Sequence, residues 1–247
     1  MYQDLIKLAD NIWLYPRDEN LEVDQPNIGA VILDKQTIMI DAGNSPHHAR
    51  GIMSALATIG APPVDYLIYT HHHWDHIFGG MVYPVPMIIA HRRCAEIIEE
   101  YSKTTWSTTH LREEIYQNPS LKGRNDAILN AVNDWRGFRI SKPTITIESN
   151  LSLYLGDLTL DICHVGGKHA ADSIIVGIRE RGVAFIGDCL YAPPVHSTEK
   201  DQTVPIKAKV FKHLFDQGYT TFVEGHNKPL AKNDIQQALK GLITSDD

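Results

Sequence analysis

Residues 64–80 read VDYLIYTHHHWDHIFGG, an apolar run that stops at Thr70 and is followed at once by four histidines and an aspartate. The first part has the length and composition of a buried strand, so its C-terminal end delivers the histidine stretch. On extended backbone successive side chains point to opposite sides, which puts His71 and His73 together and turns His72 away. Asp75 and His76 follow in a turn or helix start, adding a nitrogen and a carboxylate to the same cleft. The resulting His-x-His-x-Asp-His pattern suits metal. Neutral imidazoles bind borderline divalent cations, and a carboxylate supplies the charge that holds a second ion nearby.

The surrounding pattern predicts a sheet for this strand to join. NIWLYP, IGAVIL and TIMIDAG read as short antiparallel strands. Ser45 as N-cap and Pro46 at the first position start a helix, with Ile52, Leu56 and Ile59 at near-helical spacing, and Gly60 with Pro62-Pro63 ends it. MIIA is a further strand leading into a helix at about 92–103. Residues 104–142 mix helical pieces with polar connectors and read as an inserted helical region, either a lid or two ordinary helices on the outer surface. Trp106 and Trp135 within it read as packing residues. PTITIES, LSLYL and LTLDICHV are taken to begin a second sheet, and SIIVGI with GVAFIGD forms a hairpin around RERG. A helix at about 204–217, the strand YTTFVEGH and a closing helix NDIQQALKGLI complete the chain. Strands then helices in each half predict an α/β fold of two sheets packed face to face with helices outside, as one domain over residues 1–247.

Bulk properties narrow the partners. A formal charge of −7 gives no broad basic surface, which disfavours nucleic acid and leaves a small-molecule substrate. Asp4, Lys7 and Asp10 interrupt the start where a secretory signal needs an apolar stretch, and no run reaches a membrane span. The three cysteines, Cys94, Cys163 and Cys189, are separated and odd in number, which fits a reducing compartment. A cytoplasmic protein without a membrane partner is expected.

Further ligand-type residues recur at strand ends: His169 in GGKHAADS, Asp188 in FIGDCLY and His226 in VEGHN. With these in place the chain resembles the metallo-β-lactamase superfamily of binuclear metallohydrolases over nearly its whole length, its motifs falling in the family's order. The resemblance implies a four-layer αββα sandwich of two mixed sheets with the metal site at one edge. It implies that His71, His73 and His169 bind a first ion, that Asp75, His76 and His226 bind a second, and that Asp188 bridges the two. Asp41 in IDAGN would support the histidine loop without ligating. Two zinc ions are implied, with iron or manganese as alternatives. In GDC the aspartate competes with Cys189 as the ligand, and Asp188 is preferred. GGKHAADS departs from the family's usual Gly-His-Thr-Pro-Gly-Ser but keeps the histidine.

The chemistry implied is hydrolysis by a hydroxide that two ions about 3.5–4 Å apart generate at neutral pH, with Asp75 and Asp188 orienting it. Tyr191, three residues after Asp188, is similarly spaced to a phenol of the family's acyl-homoserine lactonases that donates to the substrate carbonyl; anchoring the loop is its other reading. The substrate expected is a small thioester, lactone, ester or lactam. Phosphodiester hydrolysis is an alternative, but the basic residues of 104–142 are diluted by Glu113, Glu114, Asp126 and Asp134. Mono-iron persulfide dioxygenase chemistry is another, and a non-enzymatic metal-binding scaffold is the last. Among the other histidines, His164 could support the His169 loop and His196 could line the pocket.

Overall fold

A computed structural model describes residues 3–20, 23–85, 87–190 and 204–244. One sheet holds β1 (Ile6–Ala9), β2 (Ile12–Tyr15), β3 (Ile28–Ile32), β4 (Thr37–Ile40), β5 (Val64–Ile68), β6 (Met87–His91) and β7 (Ile145–Ile147), side by side in that order. The second runs β13-β12-β11-β10-β9-β8, from β8 (Asn150–Leu155), β9 (Leu158–His164), β10 (Ile174–Ile178), β11 (Val183–Gly187), β12 (Thr221–Glu224) and β13 (Leu230–Ala231). Both are mixed: β4 to β7 are parallel, as are β11 and β12, and the remaining pairs are antiparallel. The helices are α1 (Pro46–Thr58), α2 (Trp74–Ile77), α3 (Arg92–Tyr101), α4 (Thr108–Gln117), α5 (Lys122–Ala131), α6 (Val204–Asp216) and α7 (Lys232–Thr244).

Alternation along the strands builds the layers. In β4, Ile38 and Ile40 face the second sheet and share a core with Leu160, Ile162 and Val176, whereas Met39 turns outward to the core that holds Ile52 and Leu56 of α1. In β11, Val183 and Phe185 face inward, and Ala184 and Ile186 pack outward with Phe211 of α6 and Ile235 of α7. Three cores between four layers result. Each fully buried aliphatic or aromatic side chain contributes about 1.5–3 kcal/mol. Gly29 of β3 lets the sheets close, since a Cβ there would stand 2.5 Å from the Phe185 ring.

Local signals place the helices. Ser45 Oγ accepts from His48 N at 3.2 Å, with Pro46 in the first turn, and Gly60 takes φ +69° just past the end of α1. In the 104–142 region Leu111, Ile128, Val132 and Ile140 join the outer core of the first sheet. Trp106 stacks parallel to Trp135 and meets Phe78 edge-on, so both tryptophans are packing residues. One expectation needs correcting. PTITIES supplies β7, which pairs in parallel with β6 and finishes the first sheet, and the second sheet starts only at β8. Strand pairing is non-local, so the run carries no mark of which sheet it joins. Among the described residues no helix is long and apolar enough to cross a membrane.

His48 lies buried beneath this framework, its Nδ1 accepting from Asn44 N at 3.3 Å and its Nε2 without a hydrogen-bond partner. Burial, with His47 nearby, pushes its pKa down to about 3. The unfolded chain takes up this proton near the ordinary value of 6.5 and the folded one does not until about 3, so the histidine's contribution is full above pH 6.5 and is lost as pH falls through that window. Between pH 7.5 and pH 5 this amounts to about 2 kcal/mol. Urea unfolding at both pH values should show a shallower loss in His48→Asn than in the wild type. Identical slopes would refute the assignment.

Candidate metal centre

Four strands end at one edge of the sandwich. Asp41 follows β4, the histidine stretch follows β5, Asp188 follows β11 and His226 follows β12, while His169 comes from the β9–β10 connection. Strand carboxyl ends are where α/β sheets place their functional loops. His72 turns away from His71 and His73, as alternation requires, and α2 begins at Trp74, bringing Asp75 and His76 round.

The donors form two groups, His71 with His73 and His169, and Asp75 with His76, Asp188 and His226; within each, one ligand atom per residue lies within 4.8 Å of the others. His169 Nε2 is 3.3 Å from His71 Nε2. His226 Nε2 is 3.0 Å and His76 Nε2 3.2 Å from Asp75 Oδ2. A single oxygen, Asp188 Oδ2, joins the groups, standing 3.3 Å from His169 Nε2 and 4.0 Å from His71 Nε2 on one side, and 3.5 Å from His76 Nε2 and 3.4 Å from His226 Nε2 on the other. All seven residues that the sequence singled out as ligands therefore converge. Cys189 instead packs into the core with Phe211 and Leu214. Tyr191 and His196 lie outside the described residues.

The donor set fits divalent cations. Buried polar atoms are nearly always hydrogen-bonded, yet Asp188 Oδ1 makes no hydrogen bond here, and His76 Nε2 makes none although it faces the Asp75 and Asp188 carboxylates. Burial alone would neutralise Asp75 and Asp188, but the His76 imidazole beside them holds both carboxyls well below the usual range. Against the same burial Asp75, Asp41 and Asp188 lift His76 far above its ordinary value, and Asp188 with Asp75 takes His226 to about 10. Burial drives His71 the other way and takes His73 down to about 4. His71 and His73 thus offer neutral imidazoles to the first group, and the second demands positive charge.

Beneath the two donor groups, hydrogen bonds select which ring nitrogen faces the cleft. Asp41, buried at φ +66°, accepts on Oδ1 from Thr70 N (2.7 Å) and on Oδ2 from Thr70 Oγ1 (2.8 Å) and His76 Nδ1 (2.8 Å). With its proton given to Asp41, Thr70 Oγ1 accepts from His71 Nδ1 at 3.1 Å. Both histidines then present Nε2 to the cleft. Sequence reasoning found Asp41 and missed Thr70, whose one signal is its place between the strand and His71. Asn27 was missed too. Its Nδ2 donates to Glu224 O (2.6 Å) and Asn227 O (2.7 Å), tying the first sheet to the loop that carries His226. Asn227 in turn donates to the buried Glu224 carboxylate. His164 Nε2 donates to Ala171 O at 2.9 Å and so holds the His169 loop.

The model of the Metallo-beta-lactamase superfamily matches residues 21–236. A metallo-beta-lactamase from Pontibacter korlensis superposes with a TM-score of 0.63 at 16% identity, covering 97% of this chain and 98% of that one. The metallo-beta-lactamase FIM-1 from Pseudomonas aeruginosa, in its mono-zinc form, gives 0.64 at 15%, covering 98% and 95%. The stereoselective inverting sec-alkylsulfatase Pisa1 from Pseudomonas sp. gives 0.68 at 14%, with 97% of this chain spanning 40% of that protein. No curated protein sequence matches the chain. At these identities the structural likeness is one of fold.

Proposed function

Because the chain belongs to the metallo-beta-lactamase superfamily, we propose that it is a metal-dependent hydrolase that adds water to a small carbonyl compound: a thioester, lactone, ester or lactam. The observation that carries this reading is the single Asp188 oxygen shared between two complete donor groups. His71, His73 and His169 would hold one divalent ion, and Asp75, His76 and His226 the other, with Asp188 between them. Zinc suits the mixed nitrogen and oxygen donors. A pair of such ions, when bound, acidifies water towards neutrality and polarises the bond to be cleaved. The chain's own part is orientation. The ionised carboxylates of Asp75 and Asp188 accept hydrogens from the attacking water and fix its approach, and Asp75 can carry a proton from Oδ2 towards the leaving group.

A polyanionic substrate is less well supported. In the 104–142 region and beside it, Arg124 pairs with Glu114, Lys122 with Asp126, Arg136 with Asp134, and Lys142 with Glu99, so these cations are matched by carboxylates. None of Cys94, Cys163 and Cys189 is in a disulfide, which supports a cytoplasmic setting.

Metal analysis of the purified protein, with a hydrolysis panel of thioesters, lactones, β-lactams and bis-phosphodiester dyes, tests the reading. Two zinc ions and turnover of one carbonyl class would support it. A single iron with oxygen uptake, or metal bound with no turnover across the panel, would overturn it. Tyr191 is proposed to donate to the developing oxyanion, and loss of such a donor lowers kcat by about 10²–10³. Tyr191→Phe should show that loss in steady-state kinetics; an unchanged kcat leaves the phenol no catalytic part.

A further inference from the structure

His72 turns its back on the cleft and finds a carboxylate. Its Nδ1 lies 2.7 Å from Oδ1 of Asp172, a fully buried residue three positions after His169 on the β9–β10 connection. The bond joins the two segments that carry the first donor group: His71 and His73 flank His72, and His169 shares its loop with Asp172. Other contacts brace the Asp172 end. The Cys94 thiol of α3 lies against the carboxylate, His164 holds the neighbouring Ala171 carbonyl, and Ser173 O accepts from Val165 N and Gly166 N. His76, further along the segment that carries His72, has its own anchor: its Nδ1 donates to Asp41 Oδ2 at 2.8 Å.

The geometry points to His72 and Asp172 as a positioning pair that sets the spacing of the three-histidine group and so governs metal affinity there, without acting on the carboxylate-bearing group. This rests on the metallohydrolase reading. The chemistry is that of an outer hydrogen bond fixing the orientation of ligating rings, with the difference that the pair acts on the backbone of two ligand loops. Removing such partners typically weakens metal affinity 10- to 100-fold.

The test is Zn²⁺ titration of chelator-stripped protein against a chromophoric chelator, giving two stepwise constants. His169→Ala identifies the first group's step and His226→Ala the second's. Asp172→Ala and His72→Phe should each weaken the first step about 10- to 100-fold and leave the second unchanged. The double variant should lose no more than the worse single one, because both remove the same bond. Asp172→Asn, whose amide oxygen still accepts from Nδ1–H, should fall nearer the wild type than Asp172→Ala. Equal weakening of both steps, additive losses, or an Asn variant no better than Ala would overturn the pair. A wild type that binds two zinc ions, with variants whose first constant equals its own, sinks the pair alone, whereas a wild type that binds none sinks the hydrolase reading with it.

Discussion

Asp188→Asn should lower kcat/KM by roughly 10³-fold and leave the protein with fewer than two tightly bound ions. The reasoning starts from one atom. Asp188 Oδ2 stands within 3.3–4.0 Å of imidazole nitrogens from both donor groups, so its charge would serve two cations at once. The amide keeps the volume and removes that charge. A metal acting as Lewis acid contributes several kcal/mol to transition-state stabilisation, and about 4 kcal/mol corresponds to 10³ in rate. Metal analysis and steady-state kinetics on the preferred substrate check this together. Full activity with two ions retained would show that the shared oxygen is not a bridge.

Gly225→Ala is the second large effect, from a single methyl group. A Cβ at this position would stand 2.1 Å from Asp188 Oδ1 and 3.0 Å from His76 Cε1. The conflict is one of space, because Gly225 is not among the positive-φ glycines. The carboxylate has to retreat by about an ångström, and misplacement on that scale costs on the order of 10² in rate. Gly123→Ala in α5 serves as the control: its Cβ meets nothing within 4 Å, and alanine is the better helix former. Wild-type kinetics in Gly225→Ala would mean that the loop moves to make room.

What could be read from the sequence was local. The HHHWDH run, the Ser45-Pro46 helix start and the turn at RERG each carry their meaning within a few residues, and the structure places them as read. His169, Asp188 and His226 were legible because each is a ligand type at the end of an apolar run. Residues whose role depends on a distant partner were not. Gly225 looks like any glycine until Asp188 is beside it, and Asp172 looks like a loop acid until His72, a hundred positions earlier, turns towards it. The misassigned β7 fails for the same reason, since Ile145–Ile147 would alternate equally well in either sheet.

Each donor group draws on both sheets: His71 and His73 come from the first and His169 from the second, and Asp75 and His76 meet Asp188 and His226 in the same way. Ions held there would stitch the halves of the chain together like rivets through two plates. Neither half alone offers a complete socket, so separation of the plates would release the cations. Anything that binds only the folded state deepens it by mass action, about 2.7 kcal/mol at a hundredfold excess over the dissociation constant. The cargo of catalysis would then also set how long the fold endures.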